Sequence, residues 1–411
     1  MSRFKKIGLY LSAIGPGLFL IGYNIGTGSV TTMAKAGANY GMSLFWALVL
    51  SCIFTYVLMV AYGQVTLVTG QTALFNFKKK IRAGLLVSIY ILAAVVIGEL
   101  LAIIGVMGIV VDLLAEGFRI IGLGEIRKIW ITSTIIGLMF VLLWFGRYSA
   151  FEKVLTFFVI QMGVCFIIVF FMVRPDTIAI LKGLVPSVPD QEGAFALVAA
   201  MAGTTCSSAL FVVRSIVVAE KGWTIMDLNK EKKDALVSSA MMLFLSSAIM
   251  AVAAGTLHIM GLKLNNTVEM IRLFEPLGGR AAAIILILGI VGAGLSTIFP
   301  IILIAPWLYC DITGKTRNIK SPLFRTLGFI GLLFGFGLHV IDKAAPAMMI
   351  FSQAIQACIL PAVAIPITLM ITSRETMGEN TAGPLMKAGL LAVIIFSLIT
   401  TWFALKDLLF I

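Results

Sequence analysis

The sequence predicts an all-α polytopic membrane protein, and three observations lead to that prediction. First, 60% of the 411 residues are hydrophobic, only 12% are charged, and the mean hydropathy is +1.07, whereas soluble globular proteins carry about 25% charged residues. Second, long apolar runs recur from one end of the chain to the other. Third, two of these runs are interrupted by glycine and hydroxyl residues. We expect a single transmembrane transporter domain over residues 1–411.

Eleven apolar runs are long enough to cross the hydrocarbon core of a bilayer, which is about 30 Å thick. Spans one to five and six to ten form two repeats, at about 7–173 and 194–371, and an extra helix follows at about 385–405. Because each repeat has an odd number of spans, the second is inverted relative to the first. This five-plus-five inverted repeat is the organisation of the leucine-transporter fold. The spans lie near residues 7–36, 42–69, 84–113, 129–146, 154–173, 194–219, 235–258, 279–309, 322–341, 346–371 and 385–405.

The first and sixth spans are each broken near mid-membrane. The first break reads Asn-Ile-Gly-Thr-Gly-Ser over residues 24–29, and the second reads Gly-Thr-Thr-Cys-Ser-Ser over residues 203–208. A break inside the membrane exposes backbone groups that lipid cannot satisfy, so it must line a cavity. Matching breaks in two halves of a chain indicate the binding site of a secondary transporter. We expect hinges at Gly26–Gly28 and at Gly203.

The net charge of +12 indicates orientation rather than binding to nucleic acid. Basic residues cluster in the short hydrophilic gaps, mainly on the side that carries the N-terminus. By the positive-inside rule, this asymmetry predicts a cytoplasmic N-terminus and an external C-terminus. We also expect the protein in the inner membrane of a bacterium. The sequence contains no nucleophile–base pair, phosphate-cradling loop or cofactor motif, so we expect neither an enzyme nor a cofactor.

Several stretches resemble the Nramp (natural resistance-associated macrophage protein) family of divalent-metal transporters. The first span is similar to the family pattern without a gap over Gly15–Gly41. The tenth is similar over Ser352–Gly378, and Glu275–Gly279 followed by Gly294–Thr297 resembles the entry into the eighth. The resemblance covers essentially the whole chain. It implies transport of a metal cation by alternating access, linked to protons.

The chain departs from that family where the metal would bind. The family's first break reads Asp-Pro-Gly-Asn, and the gapless match places residues 26–29, Gly-Thr-Gly-Ser, there. The family's sixth-span break reads Met-Pro-His, whereas this chain has Cys206, Ser207 and Ser208. A third-span acidic pair retains Glu99 but has Val96 as its partner, and a later sixth-span histidine of the family is replaced by Val213. The resemblance therefore implies an Nramp scaffold with an atypical metal site.

The predicted substrate site combines hydroxyls, freed carbonyls, an amide and a thiol, with no acid in either break. Cys206 and Ser29 are the candidate metal ligands, because a thiolate suits a soft metal. The alternative is that Cys206 is only a small residue that packs between helices. The same hydroxyls would also suit a polar neutral or zwitterionic solute, with further hydrogen bonds from Asn24 and Ser208. The predicted substrate-binding residues are Gly26, Thr27, Gly28, Ser29, Gly203, Thr204, Cys206, Ser207 and Gln353.

Two further groups are candidates for ion coupling. Glu99 and Arg214 lie within spans, where an ionised side chain costs about 2.5–3.5 kcal/mol on insertion scales, so we predict a proton relay. The alternatives for Glu99 are a structural pair with Arg214 or a backbone partner, or exposure to a water-filled vestibule. Ser296 and Thr297, with the carbonyls of Ile25 and Gly28, form a candidate sodium site, unless these hydroxyls bond the preceding turn of their own helix.

Three functions remain open at this point. The first is a metal-cation transporter with an atypical site. The second is a sodium- or proton-coupled transporter of a small neutral or zwitterionic organic solute, and the third is a non-transporting sensor on the same fold. The expected partners are a small substrate, a coupling ion and the lipid bilayer, and the oligomeric state is left open.

Overall fold

In the structure, a computed structural model, residues 26–145, 148–341 and 343–409 are described. These residues form helices and connections, without a β-strand among them. Short 3₁₀ or π segments cover Ile225–Asp227, Ala254–His258, Val268–Leu277, Phe334–His339 and Gly378–Asn380. The α-helices in chain order are α1 (Thr27–Tyr40), α2 (Phe45–Thr69), α3 (Ala73–Lys80), α4 (Gly84–Ile120), α5 (Lys128–Phe145), α6 (Tyr148–Val173), α7 (Thr177–Lys182), α8 (Ala194–Thr205), α9 (Ser208–Glu220), α10 (Leu228–Ala253), α11 (Gly279–Thr313), α12 (Pro322–Leu333), α13 (Ala345–Thr372), α14 (Arg374–Met377) and α15 (Pro384–Leu409).

In the part of the chain that the structure describes, each predicted span is occupied by one helix or by consecutive helical segments. Within the described residues, nine helical segments are long and apolar enough to cross a membrane. The first predicted span is described only from Gly26 onward, and α6 contributes the shorter apolar segment Ile160–Val173. The total of eleven spans and the inverted relation of the two halves therefore stay predictions.

The sixth predicted span is broken between α8 and α9. The helix ends at Thr205, and Cys206 and Ser207 leave helical geometry, with backbone φ/ψ of −106°/51° and −65°/130°. The last carbonyls of α8 and the first amides of α9 therefore lack helical partners. The α8–α9 pair also lies deep inside the bundle. In its most apolar 18-residue stretch 94% of the residues are buried, compared with 33% in the corresponding stretch of α15.

The hinge predicted at Gly203 is wrong in position. Gly203 lies inside α8, and the interruption follows it at Cys206 and Ser207. The structure gives another reason for the glycine. A Cβ at Gly203 would overlap the carbonyl oxygen of Gln353 on α13, so only glycine lets the two backbones approach this closely.

α1 begins within the first predicted break. Gly26 is extended, with φ −92° and ψ −168°, and is the N-cap of α1, which starts at Thr27, so Gly28 of the predicted hinge lies inside the helix. Its carbonyl accepts the first helical hydrogen bond, from the Val30 amide at 3.2 Å. Asn24 and Ile25 lie outside the described residues.

The additional helix α15 packs on α13 at a proline. Pro361 has no N–H, so it cannot bond the carbonyl of Ala357 one turn earlier. The Thr401 hydroxyl of α15 donates to that carbonyl at 3.2 Å. The hydrogen bond replaces the one that proline removes, which allows a proline deep inside a membrane helix.

Candidate substrate site

A small cavity lies where the two breaks meet. Its volume is about 30 Å³, and it is enclosed by the start of α1, the α8–α9 break and the helices α4, α11 and α13. The Ser29 hydroxyl of α1 and the Thr204 hydroxyl of α8 are hydrogen-bonded at 3.0 Å, which joins the two breaks directly. The lining residues are Gly26, Gly28, Ser29, Glu99, Ala102, Thr204, Ser207, Thr297, Ile301, Met349 and Gln353.

A carboxylate enters this cavity from α4. Glu99 lines the cavity and is only 5% exposed. The Gln356 amide of α13 donates a hydrogen bond of 2.9 Å to Glu99 Oε1, which fixes the orientation of the carboxyl group. The sequence places no acid in either break, and the cavity nevertheless contains one. The acid is supplied by a third helix rather than by either break.

Met349 and Gln353 form the wall opposite Gly28. They are four residues apart on α13, so their side chains lie on the same face of that helix. A Cβ at Gly28 would lie 2.5 Å from Met349 Cε and 2.8 Å from Gln353 Nε2. The analysis of the sequence missed Met349. Its spacing of one helical turn from Gln353 is the signal that would have found it.

Thr297 lines the cavity and lies against Gly26, at the position that a Cβ of residue 26 would occupy. Its hydroxyl donates to the Ala293 carbonyl at 2.7 Å, and the Ser296 hydroxyl donates to the same carbonyl at 2.9 Å. These are the local hydrogen bonds that were the alternative to a sodium site. Because Ile25 is outside the described residues, the sodium site stays a prediction.

Thr27 belongs to α1 but faces elsewhere. Its hydroxyl lies at the helix contact with Gly294, 2.8 Å from where a Cβ of that glycine would sit. The residue is fully buried. Thr27 therefore packs between α1 and α11 and does not line the cavity.

In the structure, Cys206 lies away from the candidate metal site and does not line the cavity. The Cys206 side chain is fully buried against α2, where it contacts the Thr55 hydroxyl and neighbours Cys52. Ser207, the next residue, lines the cavity instead. The backbone direction changes between these two residues, at φ/ψ of −106°/51° and −65°/130°, and their side chains lie on different sides of the break. The assignment of Cys206 as a ligand is corrected to a packing role.

We expect Cys206→Ala to leave metal binding unchanged, because its thiol faces α2. The matched variant Ser207→Ala removes a hydroxyl from the cavity itself and should weaken binding. Calorimetric titration of both purified variants with manganese and cadmium measures the difference. An equal loss of affinity in the two variants would contradict this placement of the thiol.

Arg214 lies in α9 with partners other than those predicted. Its Nη2 is 2.8 Å from Glu231 Oε1, its Nη1 is 2.5 Å from Asp234 Oδ2, and its Nε donates to Glu231 Oε1 at 3.0 Å. All three side chains are at most 1% exposed. The pairing of Glu99 with Arg214 is therefore corrected to a buried triad that joins α9 to α10.

Of the predicted site residues, Gly26, Gly28, Ser29, Thr204, Ser207 and Gln353 come together with Glu99 and Thr297. Within the described ranges there is no group of three or more His, Cys, Asp or Glu side chains placed to hold a metal. A metal in this cavity would therefore need mixed ligands, with one carboxylate among hydroxyl, amide, carbonyl and thioether donors.

The family described as natural resistance-associated macrophage protein-like (Nramp) matches residues 17–405. This chain belongs to the Nramp family. The resemblance inferred from the sequence is thereby confirmed, and so is the expectation of a transporter rather than an enzyme. It is a multi-pass integral membrane protein, because the family match coincides with the apolar helices.

Relatives of this chain extend over nearly its whole length. A protein of Ralstonia nicotianae named divalent metal cation transporter MntH is 25% identical over 404 residues, covering 94% of this chain and 88% of its own. The protein of the same name from a Nostoc species is 24% identical, with coverages of 97% and 91%.

Solved structures confirm the leucine-transporter type of fold. The manganese transporter of Eremococcus coleocola matches with a TM-score of 0.74 at 15% identity, over 99% of this chain and 87% of that one. The transporter MhsT, solved with L-phenylalanine, matches with a TM-score of 0.61 at 16% identity, over 99% and 98%.

Proposed function

We propose that this Nramp protein transports a divalent metal cation by alternating access, with proton coupling through Glu99. The observation that carries the proposal is the cavity between the two breaks, which combines a size of about 30 Å³ with a carboxylate in its wall. The names of the relatives, divalent metal cation transporters and a manganese transporter, support the same substrate class.

The size of the cavity favours an ion over an organic solute. Its volume of about 30 Å³ suits a bare or partly hydrated ion, since a single water needs only about 10–15 Å³ by this measure. Pockets for organic ligands span about 300–1,000 Å³. A zwitterionic solute would require the helices around the breaks to move apart, whereas a cation fits the arrangement that the structure has.

The donors in the cavity are those that a divalent cation requires. Hard divalent ions take oxygen ligands, commonly including a carboxylate, and Glu99 supplies the charge. Ser29, Ser207 and the Gln353 amide add neutral oxygen donors. The thioether of Met349 adds a soft donor, which suits a transition metal better than magnesium or calcium.

Proton coupling follows from the position of Glu99. A ligand carboxylate must be deprotonated, so metal binding releases a proton from any protonated fraction. Because the same carboxyl group accepts both ions, a bound proton and a bound metal exclude each other at this site. In alternating access, α1 and the α8–α9 pair would then move against a scaffold of α4, α5, α11 and α12, and Glu99 on that scaffold would bind a proton or a metal in turn.

The test is Glu99→Gln, which keeps the shape of the side chain and removes its charge. We expect affinity for manganese and cadmium to fall by at least about 100-fold, since even outer-shell changes around a metal cost about 10–100-fold. Titration calorimetry with manganese, cadmium, zinc and magnesium measures this directly. Uptake by proteoliposomes with an imposed pH gradient tests the proton link.

Glu379→Gln is the matched control, because Glu379 is an exposed acid in a 3₁₀ turn after α14 and does not line the cavity. It should bind metal as the unaltered protein does. If the unaltered protein binds none of the four metals, the metal proposal is wrong and the organic-solute alternative takes its place. If Glu99→Gln retains full affinity, the carboxylate is not a ligand.

A further inference from the structure

A second concave surface lies on the outside of the helix bundle and shares no lining residue with the substrate cavity. It is a groove of about 430 Å³ between the first turns of α4 and the proline-containing part of α13. Leu86 and Tyr90 on its rim are 70% and 54% exposed. Its lining is apolar apart from the Tyr90 hydroxyl and consists of Leu86, Val87, Tyr90, Pro361, Ala362, Ile365 and Pro366.

The residues of α13 explain why the surface is recessed there. Pro361 and Pro366 flank Ala362, whose side chain is a single methyl group, so this face of α13 projects little into the space beside α4. The larger side chains of Leu86 and Tyr90 stand on the facing rim. In a membrane protein an outward groove of this kind is in contact with lipid chains.

A basic cluster, Lys78–Lys80 with Arg82, stands directly before α4, and all four side chains are exposed. Lys78 donates to the Ile312 carbonyl at 3.1 Å, and Lys79 lies over the Phe75 ring at 4.3 Å. Among the ion pairs of the described residues, none involves Lys80 or Arg82. Those two charges therefore face solvent or headgroups.

This basic cluster is held firmly against the start of α4. The Gly84 amide donates to the Ile81 carbonyl at 2.9 Å, which closes the turn between α3 and α4. The Ser88 hydroxyl donates to the Leu74 carbonyl at 3.0 Å, tying α3 to the second turn of α4. Since an α-helix rises 1.5 Å per residue, Leu86 and Tyr90 lie about 3 and 9 Å along the axis from Gly84, the first residue of α4.

We propose that this groove is a specific binding site for an anionic phospholipid. One acyl chain lies in the groove between α4 and α13, and the headgroup phosphate is bound by Lys80 and Arg82. The groove lies further along α4 than the basic cluster, as the acyl chains of a lipid lie further into the bilayer than its headgroup. The positive-inside rule predicts that this end of α4 faces the cytoplasmic leaflet, whose anionic lipids attract basic side chains next to a span.

The charge selects the class of lipid. A neutral or zwitterionic phospholipid would fill the groove equally well but would leave Lys80 and Arg82 without a net counter-charge. A soluble phosphate would meet the same two charges without the apolar contact. Only a lipid with a net negative headgroup satisfies both parts of the site.

The experiment measures retention of phosphatidylglycerol by the purified full-length protein in detergent, using native mass spectrometry and thermal unfolding. Lys80→Gln/Arg82→Gln should weaken phosphatidylglycerol binding about 30-fold, because each interfacial basic side chain contributes about a factor of five in affinity. Lys233→Gln/Lys320→Gln, which removes two exposed charges at the start of α10 and in the α11–α12 connection, should bind as the unaltered protein does. Ala362→Phe fills the groove and should also release the lipid.

Phosphatidylcholine and glycerol phosphate complete the test. We expect phosphatidylcholine to be lost on dilution, and glycerol phosphate to leave the unfolding temperature unchanged. Equal retention of phosphatidylcholine, or equal losses in the two double variants, would overturn the selectivity for anionic lipid. Stabilisation by glycerol phosphate alone, or full retention by Ala362→Phe, would overturn the use of the groove.

Discussion

Gly28→Val is expected to abolish transport while the protein still folds. The new side chain would enter the space between Gly28 and the ends of Met349 and Gln353, which lie 2.5 and 2.8 Å from the position of the first added carbon. Both neighbours are the far ends of flexible side chains, so they can turn aside at a modest cost of about 1–3 kcal/mol. The cavity of about 30 Å³ would be filled, and no ion could occupy it.

Metal uptake by proteoliposomes and thermal unfolding of the same preparation measure the two parts of this prediction. Gly137→Val on α5 is the matched control, because no atom lies within 4 Å of a Cβ built there, and it should transport normally. For Gly203→Ala we expect the opposite outcome for folding. Its added carbon meets the backbone of α13 rather than side-chain ends, so we expect loss of folded protein. Normal uptake by Gly28→Val would show that the substrate site lies elsewhere.

The spans and the position of the α8–α9 break could be predicted because the bilayer constrains them locally. Length and hydropathy define a span, and a run of small and hydroxyl residues at its centre marks an interruption. The role of Gly203 could not be read in the same way. A glycine that permits close packing and a glycine that permits a hinge look identical in a sequence, and only the position of the Gln353 carbonyl distinguishes them.

The composition of the site was harder to predict, because it depends on which helix faces come together. Glu99 was recognised as a buried acid, but its entry into the cavity depends on the packing of α4 against the breaks. Cys206 and Ser207 are adjacent, and the exact residue at which α8 ends decides which of them faces the cavity. An error of one residue in that boundary exchanges a metal ligand for a packing residue.

A single substitution in the buried triad of Arg214, Glu231 and Asp234 should destabilise the protein strongly. One guanidinium lies between two carboxylates, at 2.8 and 2.5 Å, and all three side chains are at most 1% exposed. Removing one partner of a buried ion pair leaves uncompensated charge, which costs about 3–5 kcal/mol. We therefore expect Arg214→Met to lower the unfolding temperature by several degrees and to reduce the yield of folded protein.

A triple variant of the same triad distinguishes a structural role of Arg214 from a role in proton transfer. In the triple variant Arg214→Met/Glu231→Gln/Asp234→Asn no buried charge is left unpaired, and replacing a buried ion cluster by neutral groups of similar volume is often close to neutral. We expect it to regain the unfolding temperature and the pH-dependent uptake of the unaltered protein. Recovery of stability without recovery of pH-dependent uptake would instead assign Arg214 to the proton route, as the sequence predicted. The structure favours the first result, because Arg214 ties α9 to α10 through both acids, whereas Glu99 is held at the cavity by Gln356.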